Sequence, residues 1–186
     1  MLIPMTAIPA GECEIICKER VEGFCEHMRR HVVSVIDDFC ISALVTQDLW
    51  RYIMGSAPWE DCLQNYIKRG HKFPAVRVCW SEVQEFITRL SEQENTQYRL
   101  PTESEWEYAA SGSSGFVISD MNGKVWEWVD GECGANPPRP PKRCCRGGST
   151  YDCAKYCCNS AHRSHDPDFR QCDLGFRLAC STTPKP

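Results

Sequence analysis

The sequence predicts an α+β fold in one domain spanning residues 1–186. Three observations carry that expectation. From Trp80 to Glu94, the apolar residues Val83, Phe86, Ile87 and Leu90 follow the i, i+3, i+4, i+7 rule of an amphipathic helix. Val125-Trp126-Glu127-Trp128-Val129 alternates with the period of a strand and sets two tryptophans on one face. Helical patterns end near Ala110, strand patterns dominate afterwards, and no internal repeat is present. Segregated order of this kind points to α+β, not to alternating βαβ units.

Taken in order, Ile3–Ile16 carries Pro4, Pro9 and Gly11 among short apolar pieces, which predicts two short strands and a turn. His31–Ile41 reads as one strand, bulged at Asp37-Asp38. Thr46 can cap a helix over Gln47–Met54, with Leu49, Trp50 and Ile53 on one face and Gly55 as its stop. Ser81 with Gln84 reads as the capping box of the long helix. Thr102 with Glu105 reads as a second box, opening a shorter helix through Ala110, with Pro101 ending the extended residues before it. Ser111–Gly115 is a turn. Beyond the tryptophan strand come a proline loop at Pro137–Pro141, a short strand at Cys144–Arg146 and a last strand at Gly175–Cys180.

Composition narrows the function classes. The chain has 186 residues, 42% hydrophobic and 25% charged, which suits one globular domain. A net charge of −4 argues against a nucleic-acid partner. No apolar run is long enough to span a membrane, and Met1–Pro9 lacks the basic and apolar regions of a signal peptide. Fourteen cysteines, two adjacent pairs among them, leave free thiols, disulfides and metal ligation all open.

The stretch 144–180 gathers tyrosines, histidines, aspartates and cysteines with neither helical nor strand period, so it reads as a surface held in place by the rest. Cys153, Cys157, Cys158, His162 and His165 could ligate zinc, yet no paired C-x2-C knuckle supports it. Glu103, Glu105 and Glu107 fall in a first helical turn, where capping explains acidic residues. Trp106, Trp126 and Trp128 could form a carbohydrate platform, with core packing as the plainer reading. Asp120, Asn122 and Glu127 could help hold calcium.

Several strings stand in a telling order: Val45-Thr46-Gln47, RLPTESEWEYAA at 99–110, Gly123 to Val129 (GKVWEWV), Arg146-Gly147-Gly148-Ser149 and Leu174-Gly175-Phe176-Arg177. The chain therefore resembles the formylglycine-generating enzyme (sulfatase-modifying factor) family from Ile8 to Ala179. That resemblance implies a C-type lectin fold with short helices on short antiparallel sheets. It also implies one of two functions. The oxidase branch converts a substrate cysteine to formylglycine with two copper-binding cysteines five positions apart, which Cys153 and Cys158 would match. Three departures weigh against catalysis: only about fifteen residues separate Ala110 from Val125, the cysteine pair is displaced by one residue relative to Ser149, and the aromatic and arginine pattern of the catalytic loop is missing.

The compact branch comprises the variable proteins of diversity-generating retroelements, including the Treponema type. There a lectin-fold surface is diversified at adenines, producing residues other than Lys, Gln, Glu, Met and Trp. Tyr151, Asp152, Cys153, Tyr156, Cys157, His162, Ser164, His165, Asp168, Phe169, Cys172 and Asp173 all belong to the permitted set, whereas Lys155 and Gln171 do not. The resemblance thus implies a non-enzymatic, ligand-binding protein without a cofactor, displayed as a lipoprotein on a bacterial cell surface and binding a protein or other cell-surface ligand. Aromatic anchors among small polar residues are also the residue logic of a paratope.

Overall fold

The strands and helices follow the order β1 (Met5–Ile8), β2 (Gly11–Arg20), β3 (Glu26–Val35), β4 (Phe39–Leu44), α1 (Gln47–Met54), α2 (Trp80–Glu94), α3 (Glu103–Ser111), β5 (Trp126–Glu132), β6 (Arg143–Arg146), β7 (His162–His165) and β8 (Leu174–Ser181). The computed structural model describes residues 2–20, 26–62, 67–113, 115, 118–132, 141–152 and 157–182. The prolines at 137, 138 and 140 lie outside them. Six strands form one sheet in the order β1-β4-β8-β5-β6-β7, and β2 with β3 forms a separate hairpin. Among the named strands of the described residues, β5 and β8 pair in parallel, and the other strand pairings are antiparallel.

Local chemistry sets the helix ends. Thr46 accepts the Leu49 N–H, and Gly55 closes α1 in the left-handed region at φ 67°. Thr102 and Glu105 exchange the two bonds of a capping box at 3.2 and 2.8 Å. The α2 cap is two residues earlier than its serine suggests. Cys79 holds the extended cap conformation, and the Glu82 carboxylate accepts its backbone N–H at 3.1 Å. Ser81 instead lies inside the helix, with its hydroxyl 3.4 Å from Asp168.

Two strand expectations need correction. His31–Ile41 is the end of β3 and the start of β4, because Asp37-Asp38 turn the chain between the hairpin and the sheet. The irregularity lies further on, between Ile41 and Leu44 of β4, where the Ser42 hydroxyl accepts the Leu178 N–H at 2.9 Å. The stretch 144–180 is also not free of regular structure. Its residues His162–His165 form β7, an edge strand whose register pairs Arg143 with His165 and Arg146 with His162.

Side-chain packing divides into two clusters. In the first, Trp50 stacks on Phe86 at 5.4 Å and both meet Phe176 edge-on, at 6.0 and 5.3 Å, joining α1 and α2 to β8. The second joins Ile8, Phe39, Ile41 and Val129 of the sheet to Trp106 and Tyr108 of α3 and to Cys13, Ile15, Val33 and Val35 of the hairpin. Trp126 and Trp128 both pack in the first cluster, so they are core residues and not an open carbohydrate platform.

Between the clusters runs a buried charge network. Arg177 and Glu127 are fully buried. The guanidinium donates to both Glu127 oxygens at 2.6 and 2.8 Å and to the Ser42 carbonyl at 3.0 Å. Trp106 donates its indole N–H to the same carboxylate at 2.8 Å. The WEW and GFR strings thus lock β4, β5, β8 and α3 together.

Candidate functional site

The surface formed by 144–173 is built outward from the turn after β6. Gly147 and Gly148 adopt φ 102° and 73°. A side chain at Gly147 would strike the Met121 carbonyl at 2.9 Å, and one at Gly148 would strike Cys157 at 2.9 Å. Only glycine allows the chain to pass this close while turning left-handed. Ser149, itself buried, then presents its N–H and hydroxyl to one acceptor.

That acceptor is Asp152. One carboxylate oxygen takes the Trp126 indole N–H at 2.7 Å and both Ser149 donors at 3.0 and 3.1 Å. The other takes Arg163 at 2.7 Å. Arg163 in turn lies over the Trp126 ring, 4.3 Å from its centroid. Burial pushes the Asp152 carboxyl up, but the Trp126 and Ser149 donors and the Arg163 charge outweigh it and hold the group below the ordinary carboxylate range. Asp152 therefore ties the turn, β5 and β7 to one another.

A second aromatic group stands along β6 and β7. His165 stacks on Phe169 at 4.0 Å and meets the edge of Trp128 at 6.3 Å. Its cross-strand partner Arg143 lies 4.2 Å over the Trp80 ring. Burial, then the Arg163 and Lys142 cations, lower the His165 pKa from its usual 6.5. The imidazole is therefore neutral at pH 7. Because its folded pKa is depressed, its contribution to stability is fully present above pH 6.5 and is lost as pH falls through the folded value. A proton-detected NMR titration is expected to place the His165 midpoint below the ordinary imidazole value of 6.5. A midpoint at or above that value contradicts the packing described.

The predicted display residues fall into distinct environments. Tyr151, His162 and Asp168 are exposed. Cys157, Ser164, His165, Phe169 and Cys172 are half-buried, as is Asp152. Asp173 is 3% exposed, with its backbone carbonyl accepting the Trp126 N–H at 2.7 Å. Cys153 and Tyr156 lie outside the described residues. Trp80, Arg143 and Arg163 also build this face. Their pairing was not legible because each arginine meets a ring far from it in sequence, Arg143 one on helix α2 and Arg163 one on strand β5.

The acidic triplet on α3 is consumed internally. Glu105 pairs with Arg99 through two 2.6 Å bonds, while Glu103 and Glu107 both hold Arg146. Neither candidate metal set assembles among the described residues, where no three His, Cys, Asp or Glu side chains converge. Of the calcium candidates, Glu127 is taken by Arg177 and Trp106, Asp120 pairs with Lys124 at 2.7 Å, and Asn122 donates to Asn159 at 2.5 Å. These residues do not fit a shared cation. For the copper pair, Cys158 is half-buried with its sulfur 3.4 Å from the Ser160 hydroxyl, and its candidate partner Cys153 lies outside the described residues. Cys144 is disulfide-bonded.

Fold and surface together define a lectin-type scaffold with an aromatic and polar C-terminal face. The chain belongs to the sulfatase-modifying factor enzyme 1-like domain family, whose model matches residues 3–117 and 113–182. Its structure is similar to Treponema denticola variable protein 1, at 22% identity and TM-score 0.68 over 95% of this chain and 94% of that one. It is similar also to PvdO from Pseudomonas aeruginosa, at 21% identity and TM-score 0.74 over 95% and 94% of the two chains. CarF matches at 19% identity and TM-score 0.73 over 98% of this chain and 100% of that one. No curated protein matches by sequence. The chain has the C-type lectin fold in its formylglycine-generating-enzyme-like form, and no helix among its described residues is long and apolar enough to cross a membrane.

Proposed function

We propose that this chain is a ligand-binding protein whose C-terminal surface is diversified by a retroelement, displayed as a lipoprotein at a bacterial cell surface to bind a protein or other surface ligand. The observation that supports it most is a division of labour within 144–173. The charges in the family strings are satisfied by one another inside the frame, whereas Tyr151, His162 and Asp168 project outward. Side chains of the second kind can change without disturbing packing. The similarity to a protein named as variable supports the same reading.

Within this reading the contact set is Tyr151, His162, Ser164, Asp168, His165 and Phe169, with Cys153, Tyr156, Cys157 and Cys172 as further variable positions. Asp152 and Asp173 act as supports for that surface. Binding would rest on the aromatic anchors Tyr151 and Phe169, with polar contacts around them.

The gene supplies the test. A near-identical copy of the 3′ coding segment, differing from it at adenines of the codons for these positions, is the expected finding. In parallel, Tyr151→Ala, His162→Ala and Asp168→Ala should each shift stability by less than about 0.5 kcal/mol. Absence of any such copy, together with copper-dependent oxidation of a sulfatase peptide that stops in Cys158→Ser, would replace this reading with the oxidase.

A further inference from the structure

We propose that Cys40 and Cys180 form a modification site, a cross-strand thiol pair that closes to a reversible disulfide on meeting a small-molecule disulfide. The inference is independent of the function proposed above. It rests on strand register. β4 and β8 run antiparallel with Cys40 directly opposite Cys180, and both are free thiols. Opposed residues in such a pair stand with Cα atoms about 4.5–5.5 Å apart, within the span of about 4.4–6.8 Å that a disulfide bridges. The Cys40 side chain lies near enough to raise the Cys180 pKa. Closing the bond needs side-chain rotation and no movement of the sheet.

Access and reactivity divide between the partners. Cys40 is half-buried and Cys180 is 8% exposed, so Cys40 meets the reagent first. With oxidised glutathione, the Cys40 thiolate attacks one sulfur, the glutathione S–S bond breaks, and one glutathione thiolate leaves. Cys180 then gives its proton to water, and its thiolate attacks the Cys40 sulfur. The second glutathione departs as thiolate and takes a proton. Two protein thiols have been oxidised and one glutathione disulfide reduced.

The environment favours the closed form. Burial, then the neighbouring Cys40, push the Cys180 thiol up to about 11, and Arg99 is the one cation opposing them. A disulfide is a strong oxidant when the thiolate of its reduced form is stabilised; here the thiolate is disfavoured, so the disulfide resists reduction. The chain already carries one oxidised cysteine at Cys144. The new bond would also close a loop holding most of the chain, the situation in which cross-linking restricts the unfolded state most.

The full chain is incubated with oxidised glutathione, remaining thiols are trapped with N-ethylmaleimide, and peptides are mapped by mass spectrometry. The expected product is a peptide joining Cys40 to Cys180 that separates on reduction. In the same oxidising buffer the wild type should melt on the order of 10 °C above Cys40→Ser. Cys180→Ser should leave Cys40 as its glutathione adduct. Should Cys180→Ser fail to fold, Cys40→Ser, at the more accessible position, supplies the control. Wild-type protein whose Cys40 and Cys180 both carry maleimide, or whose Cys40 is joined elsewhere, overturns the proposal.

Discussion

Arg177→Met is expected to unfold the protein more readily than any surface change, at a cost of about 3–5 kcal/mol. The substitution leaves the Glu127 carboxylate fully buried with the Trp106 indole as its remaining donor. It also deprives the Ser42 carbonyl of its guanidinium partner. For a chain of this size the melting temperature should fall by on the order of 10 °C, and the urea midpoint should fall with it. The double variant Arg177→Met, Glu127→Leu should recover much of the loss, because replacing both ions removes the uncompensated charge. A single variant that costs less than about 1 kcal/mol would show that the network contributes no more than an exposed pair does.

Asp152→Ala carries the second large effect, and it bears on the C-terminal surface. Removing the carboxylate strands the Trp126 indole N–H, two Ser149 donors and Arg163 at once. A loss of about 3 kcal/mol follows from groups of this kind left unpaired. Hydrogen exchange should rise at residues 149–152, where the Asp152 N–H bonds the Ser149 carbonyl at 3.0 Å. Tyr151→Ala, one position away, should leave exchange and stability nearly unchanged. The acid dependence has a definite sign. The folded Asp152 pKa is depressed, so its contribution is complete above the unfolded value of about 3.9 and is lost as pH falls through the folded one. If Asp152→Ala and Tyr151→Ala behave alike, the carboxylate is not an anchor.

Much of the frame was legible because it obeys local rules. The α2 period and the α1 and α3 caps need only a few neighbouring residues, and these elements fell where the sequence put them. Errors arose where a local rule had a competitor. Serine is the better cap by propensity, yet the backbone enters α2 at Cys79, where Glu82 reaches back. β7 reads His-Arg-Ser-His, without apolar alternation, because an edge strand needs only the backbone of β6 and the rings of Trp126 and Trp128 behind it. The role of Asp152 was hidden for a different reason. Its donors come from Trp126, 26 residues earlier, and Arg163, 11 later; the resemblance placed it among the variable positions by residue type, which carries no information on such distant partners.

The position of β8 has a consequence for how each molecule is made. It is the latest strand in the chain, yet it lies between β4 and β5 in the middle of the sheet. During synthesis the ribosome must release residues 174–181 before either half of the sheet finds its neighbour. By then the whole stretch between β6 and β8 has already been translated. A display sequence that cannot carry the chain from β6 to the gap leaves the strand edges of β4 and β5 unpaired, a state open to proteases and aggregation. The topology thus makes completion of the sheet depend on every residue between β6 and β8.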